Sequence, residues 1–285
     1  MISGALLIDY SDHYSTKTFL KKRVRKTLIP YIAWCLIGIG YLIFYNVLSV
    51  DELSIKTVVR MILNDEVLDP YWFLPAILSA YLLTPLLSSV QEDKRKKTFE
   101  CIIASMFVLN FAAPFFLSQL GLGGLEIQMP LTMACLYYIT GYYIDKYLNP
   151  QKYKTVYLLA LLGLLIMLIG TITASYRIGS LVKIFMGYQN FPCYLFSAGV
   201  FCAFKEFANP AFSRGGLSRI TALFVNETFG IYLIHWYVLN EIKIRFALNY
   251  ADFMYRIPLG IVAFIISWLI VKVLRMIPVV KNIVP

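Results

Sequence analysis

Long runs of apolar residues with few or no charges constrain this chain more than any other feature. A helix needs about 20 mostly apolar residues to cross the hydrocarbon core of a bilayer. Its backbone polar groups must pair within the segment, because lipid offers them no partners. We therefore predict an all-α integral membrane protein, a polytopic helical bundle of about eight complete spans in a single domain over residues 1–285. The predicted spans are Thr27–Leu48, Tyr71–Val90, Phe99–Leu117, Gln128–Ile144, Thr155–Tyr176, Ile184–Phe204, Ile220–Asn240 and Ile257–Ile277.

Basic residues are distributed unevenly between the predicted loops. A net charge of +10 would suit a nucleic-acid-binding protein, but the positions of the charges argue against that class. If Thr27–Leu48 leaves the cytoplasm, 19 of the 26 Lys and Arg residues fall on the cytoplasmic side and 7 on the other. Cytoplasmic loops of membrane proteins carry such an excess. We predict a multi-pass protein of the plasma membrane with both termini cytoplasmic, with the lipid bilayer and not nucleic acid as its partner.

The sequence offers no motif for a metal or a tightly bound cofactor. The five cysteines lie singly, mostly within apolar runs, without the spacing of a zinc site or a disulfide framework. No phosphate-binding glycine loop with its lysine appears, and no HExxH segment. We predict neither a metal site nor a resident cofactor.

A basic segment, Lys21–Lys26, precedes the first predicted span. Arg23 and Lys26 are three residues apart and would share one face of a helix. The functional interpretation is a clamp for a phosphorylated substrate arriving from the cytoplasm. The alternative is an ordinary anchor that contacts anionic lipid headgroups.

His235 is the only histidine within a predicted span, and Glu227 precedes it by eight residues on roughly the same side of the helix. Ionisable groups at membrane depth are costly to bury, so they indicate function by default. His235 is therefore our candidate catalytic residue and Glu227 a candidate binding residue, although a neutral imidazole bonded between helices is the alternative. Tyr71 and Trp72 open another span and suit either the aromatic belt or the lining of a cavity.

The first eight residues, Met1–Ile8, are apolar and too short to span a bilayer. They run into Asp9, Asp12 and then the basic segment. We interpret this N-terminal stub as the cytoplasmic end of a helix whose beginning is absent. A short re-entrant or interfacial anchor is the alternative.

Several short motifs together resemble the membrane-bound acyltransferase family 3, and the likeness covers nearly the whole chain. Each motif is weak alone, but their order and spacing agree with the predicted topology. The motifs are Met1–Leu7, Phe19–Arg23 running into Ile29–Tyr31, Tyr71–Pro75, Tyr81–Leu87, Thr140–Tyr143 and Phe229–His235.

The resemblance implies a ten-helix pattern in which this chain lacks the first helix and most of the second. It implies O-acyl transfer, usually of an acetyl group from acetyl-CoA, to a cell-surface or lipid-linked carbohydrate. The family's catalytic histidine would belong to the absent first helix, and its paired arginines correspond to Arg23 and Lys26. A lysine keeps the charge but loses bidentate phosphate recognition. An exporter of a polysaccharide or lipid-linked sugar, or an inactive truncated copy, are the alternative functions.

Overall fold

The structure is a computed structural model that describes residues 1–114, 117, 120–122, 131–207, 216–248 and 258–284, and these residues contain helices but no β-strand. The all-α prediction is confirmed. Among the described residues the α-helices, in chain order, are α1 (Ile2–Leu7), α2 (Thr16–Arg23), α3 (Ile29–Phe44), α4 (Ile55–Leu63), α5 (Phe73–Ser88), α6 (Glu92–Phe107), α7 (Met133–Lys146), α8 (Tyr153–Ile178), α9 (Phe191–Phe207), α10 (Gly216–Val225), α11 (Thr228–Arg245) and α12 (Pro258–Met276).

Four helical stretches in the described part of the chain are long and apolar enough to cross a membrane: Thr16–Phe44, Asp69–Ser88, Pro150–Ile178 and Pro258–Met276. They correspond to the first, second, fifth and eighth predicted spans, so the chain is a membrane protein. The predicted number of about eight complete spans is not confirmed.

Of the other four predicted spans, three are shorter or divided among the described residues, whereas in the third, Phe99–Leu117, the helix continues at least to Ala112. The segment Ile220–Asn240 is divided between α10 and α11, because the chain turns at Asn226 and Glu227. Helices α7 and α9 have 14 and 17 residues, and at 1.5 Å per residue they extend about 21 and 26 Å. Parts of the predicted spans Phe99–Leu117 and Gln128–Ile144 lie outside the described residues.

The described residues form two compact units, which are considered separately. The first comprises those within Met1–Thr16 and Ser79–Phe212, and the second those within Lys17–Leu78 and Ser213–Pro285.

In the first unit, α1 crosses α7 at two glycines. A Cβ atom on Gly4 would overlap the backbone of Tyr138, and one on Gly141 would overlap the backbone of Met1. Side chains are excluded from both sides of the crossing, so the two backbones pack directly against each other. The N-terminal stub is therefore a helix docked on α7.

Helices α8 and α9 of the first unit pack in the same way. A Cβ on Gly163 would lie 2.5 Å from the Pro192 carbonyl oxygen, and one on Gly199 would overlap the Ala160 side chain. Small residues at helix contacts are the usual means of close association in membranes, where lipid competes with apolar side chains.

An ion-pair network holds the residue that follows the docked stub. Asp9 Oδ1 accepts hydrogen bonds from Arg95 Nη1 at 3.0 Å and from the Tyr142 hydroxyl at 2.6 Å, and its Oδ2 lies 3.0 Å from Lys146 Nζ. Arg95 also donates to the carbonyl oxygens of Ser88 and Val90. Asp9 therefore links the segment that follows α1 to both α6 and α7 in the first unit.

In the second unit, α3 and α11 supply most of the buried core together with residues of α12. Tyr31, Trp34, Leu233 and Val271 belong to this core. The C-terminal residues fold back into it: the Trp34 indole donates to the Ile283 carbonyl at 2.8 Å, and Val284 is fully buried.

Candidate functional site

All six residues singled out as a candidate site lie in the second unit, and the basic pair stands before α3. Arg23 ends α2, and the next five residues, Val24–Leu28, form a π-helical turn. The Arg23 guanidinium lies 5.4 Å from the centre of the Phe19 ring and is half-buried, whereas Lys26 is exposed. Because a π-helix turns less per residue than an α-helix, Lys26 is rotated further from Arg23 than an α-helix would place it.

His235 lies in α11 with its ring held by the preceding turn. Its Nδ1 atom is 2.6 Å from the carbonyl oxygen of Tyr232. A carbonyl oxygen only accepts hydrogen bonds, so Nδ1 carries the proton and Nε2 carries the lone pair in the neutral ring. The side chain is half-buried. His235 thus has the tautomer that a general base requires.

The structure separates the roles of the two neighbouring aromatic residues. Tyr71 is fully buried, and its hydroxyl lies 3.1 Å from the Leu233 carbonyl and 3.2 Å from the Tyr237 hydroxyl. Trp72 is 42% exposed and packs edge-on against Phe73. Tyr71 therefore supports α11 from within, and Trp72 is the member of the pair that a ligand or lipid reaches.

Glu227 directly precedes α11, and its side chain pairs with Arg275 of α12 rather than with His235. Arg275 Nη1 donates to Glu227 Oε1 at 3.4 Å and to the Asn226 carbonyl at 2.9 Å. The Glu227 side chain is only 14% exposed. The eight residues from Glu227 to His235 correspond to about 12 Å along a helix, so the structure does not bring these two side chains together.

Helices α3 and α11 lie side by side, which relates the basic pair to His235. The Tyr237 hydroxyl donates to the Trp34 carbonyl at 3.3 Å, and the rings of Trp34 and Tyr237 are 5.7 Å apart. Trp34 follows Lys26 by eight residues, or about 12 Å of helix. The contact between Trp34 and Tyr237 therefore lies about two helical turns from Lys26, and His235 precedes Tyr237 by two residues on the adjacent helix.

Sequence reasoning did not identify two acidic residues of this unit, Asp65 and Glu241. Burial, followed by the charge of Asp69, raises the pKa of Asp65 to about 6. Among the described residues no hydrogen-bond partner reaches its buried Oδ1 atom. Glu241 accepts a hydrogen bond from the Tyr41 hydroxyl at 3.0 Å. In the sequence, each of these two residues is visible only as an acidic residue next to an apolar run that is rich in aromatic residues.

Comparison with known proteins identifies one family. Residues 1–272 match the family model described as an acyltransferase domain, that of acyltransferase family 3. Searches of curated proteins and of solved structures give no match. The match spans both units and includes every residue of the candidate site.

Proposed function

Since this chain belongs to acyltransferase family 3, we propose that it O-acetylates a cell-surface or lipid-linked carbohydrate, with acetyl-CoA as the donor substrate. The family match over residues 1–272 is the observation that carries this proposal, and it makes the chain a membrane acyltransferase. The donor, the acceptor and the plasma-membrane location are the parts that we add.

Arg23 and Lys26 bind the phosphates of CoA at the cytoplasmic start of α3. A guanidinium donates two parallel hydrogen bonds to a phosphate, whereas an ammonium acts as a compact charge. The contact with Phe19 orients the Arg23 guanidinium and leaves the exposed Lys26 ammonium to adapt to the ligand. From there the extended pantetheine arm of CoA reaches along α3 toward the level of Trp34.

His235 acts as the general base. Its Nε2 atom takes the proton of the acceptor hydroxyl while the hydroxyl oxygen attacks the thioester carbonyl carbon. The carbon–sulfur bond then breaks, the CoA sulfur leaves as a thiolate, and the imidazolium returns the proton to it. An ester and free CoA are the products. The hydrogen bond from Nδ1 to the Tyr232 carbonyl keeps the neutral ring in the tautomer that leaves Nε2 free to accept the proton.

The remaining site residues position this machinery. Tyr71 supports the turn of α11 that carries His235, and Trp72 offers an exposed ring to the substrate. Glu227 orients the first turn of α11 through its ion pair with Arg275. Its burial and distance from His235 make it a positioning residue.

Acyl-CoA binding by the full chain in lipid nanodiscs tests the donor site. We expect the double variant Arg23→Ala with Lys26→Ala to lose about 3 kcal/mol of binding free energy. Each lost charge-assisted contact accounts for about half of that loss. Isothermal titration with acetyl-CoA measures the affinity directly.

The matched control is Lys96→Ala with Lys97→Ala. This variant also removes two positive charges. Both lysines are exposed and belong to a loop that the charge asymmetry assigns to the cytoplasm. Equal affinities of the two double variants for acetyl-CoA would show that Arg23 and Lys26 act only as a topology anchor. Absence of acetyl-CoA binding in the unmodified chain would contradict the proposed donor and favour the exporter alternative.

A further inference from the structure

A cluster of tyrosines surrounds Glu241 at the end of α11. Glu241 Oε1 accepts hydrogen bonds from the Tyr41 hydroxyl at 3.0 Å and from the Tyr45 hydroxyl. Asn240 Nδ2 in turn donates to the Tyr41 hydroxyl at 2.8 Å. The carboxylate is therefore held in one orientation by groups from two helices, α3 and α11.

Aromatic rings surround the Tyr41 ring on several sides. Its centre lies 4.7 Å from that of Tyr45, 5.7 Å from that of Trp236 and 5.1 Å from that of Tyr237. The Trp236 and Tyr237 contacts are edge-on, which is a favoured arrangement for rings with a negative face and a positive edge. The rings thus form a preorganised aromatic wall beside the carboxylate.

The cluster is open to a ligand rather than sealed in the core. Tyr41, Tyr45 and Trp236 are half-buried, and 32% of the Glu241 side chain is exposed. Glu241 Oε2 faces the largely exposed Arg245, whose Nε lies 3.6 Å away. An ordinary aromatic belt needs no oriented carboxylate at its centre, so the arrangement calls for a polar ligand.

We propose that this cluster is the carbohydrate subsite of the acceptor. The C–H face of a sugar ring packs against aromatic faces. The hydroxyls at the edge of the ring donate hydrogen bonds to a carboxylate and also bond to an amide. Binding sites of this kind combine aromatic walls with a few placed polar groups.

The position of the cluster suits an acceptor that arrives from outside. It lies at the ends of α3 and α11 opposite to the basic pair, on the side where the charge asymmetry predicts the exterior. Glu241 follows His235 by six residues, about 9 Å along the helix. This inference rests on the proposed function.

Saturation-transfer difference NMR on the full chain in nanodiscs tests the subsite. The probes are the methyl glycosides of glucose, galactose, mannose and N-acetylglucosamine. We expect at least one to bind, with the strongest signals on the C–H protons of one ring face. Glu241→Gln should weaken its Kd about tenfold, as the loss of one charge-assisted hydrogen bond implies. Tyr45→Phe should weaken it by a smaller factor.

Glu206→Gln is the matched control, because Glu206 also accepts a hydrogen bond from a tyrosine, Tyr157, but lies in the first unit. It removes the same charge and should leave glycoside binding unchanged. Equal Kd values in Glu241→Gln and Glu206→Gln, or no glycoside binding by the unmodified chain, would overturn the subsite.

Acetyl-CoA titration of the same samples separates the two proposals. Donor binding without glycoside binding contradicts the subsite alone. The opposite result is glycoside binding that depends on Glu241 without any binding of acetyl-CoA. It would contradict the proposed transfer reaction and support the cluster as a carbohydrate-binding site.

Discussion

At the scale of single residues, Asp65 combines a left-handed backbone conformation with a carboxyl whose pKa is raised. Its backbone adopts φ 57°, in the left-handed region where Asn and Asp are the most tolerated residues after glycine. Burial and the neighbouring Asp69 raise the pKa of its carboxyl from 3.8 to about 6. The folded protein therefore favours the protonated carboxyl, and the stability that this group contributes is complete below pH 3.8 and lost as the pH rises through 6.

Asp65→Asn should stabilise the protein at pH 8 and leave it unchanged at pH 4. Asparagine tolerates the same backbone conformation and does not ionise. We expect a rise in Tm of about 1–2 °C at pH 8, small because the carboxyl is still partly exposed. Thermal unfolding in detergent at the two pH values measures it. The exposed Glu52→Gln serves as the control, and a larger gain at pH 4 than at pH 8 would refute the assigned sign.

At the scale of helices, close backbone contact explains why particular glycines occur where they do. At the crossing of α1 and α7, Gly4 faces the backbone of Tyr138 and Gly141 faces the backbone of Met1, and neither position has room for a side chain. Gly40 in α3 differs, since a Cβ there would meet no atom within 4 Å. The contact geometry thus distinguishes two helical glycines that look alike in the sequence.

Gly141→Ala should destabilise the first unit and Gly40→Ala should not. The added methyl group at position 141 overlaps the Met1 backbone, and overpacking of this kind costs about 1–3 kcal/mol. At position 40 alanine adds helix propensity without a clash. Thermal unfolding of the two variants in the same detergent provides the comparison, and equal Tm values would show that α1 does not dock on α7.

At the scale of the whole molecule, charge distribution predicts the orientation in the membrane. The two ends of α3 illustrate the point: Lys21–Lys26 precede it, whereas the segment that follows it carries Asp51 and Glu52 before Lys56. Cytoplasmic loops retain Lys and Arg during insertion, and acidic residues have little influence.

Cysteine labelling in intact cells tests the orientation. In a variant without the five natural cysteines, a cysteine at the exposed position Glu52 should react with an impermeant maleimide. One at the exposed position Lys96 should react only after the cells are opened. Labelling of position 96 in intact cells would reverse the predicted topology.

Sequence alone determined the class of this protein, its family and the residues of its basic segment. Apolar runs and short motifs are local properties of the chain, so the all-helical membrane class and the family follow from reading it in order.

Tertiary structure decided which apolar runs became complete helices and which side chains meet. Arg275 satisfies the Asn226 carbonyl where the predicted span Ile220–Asn240 is divided, and hydropathy contains no sign of that bond. Glu241 accepts a hydrogen bond from Tyr45, which directly follows α3 and is 196 residues away in the sequence. Such contacts depend on the rotation and register of one helix against another, which composition does not encode, so only the folded chain shows them.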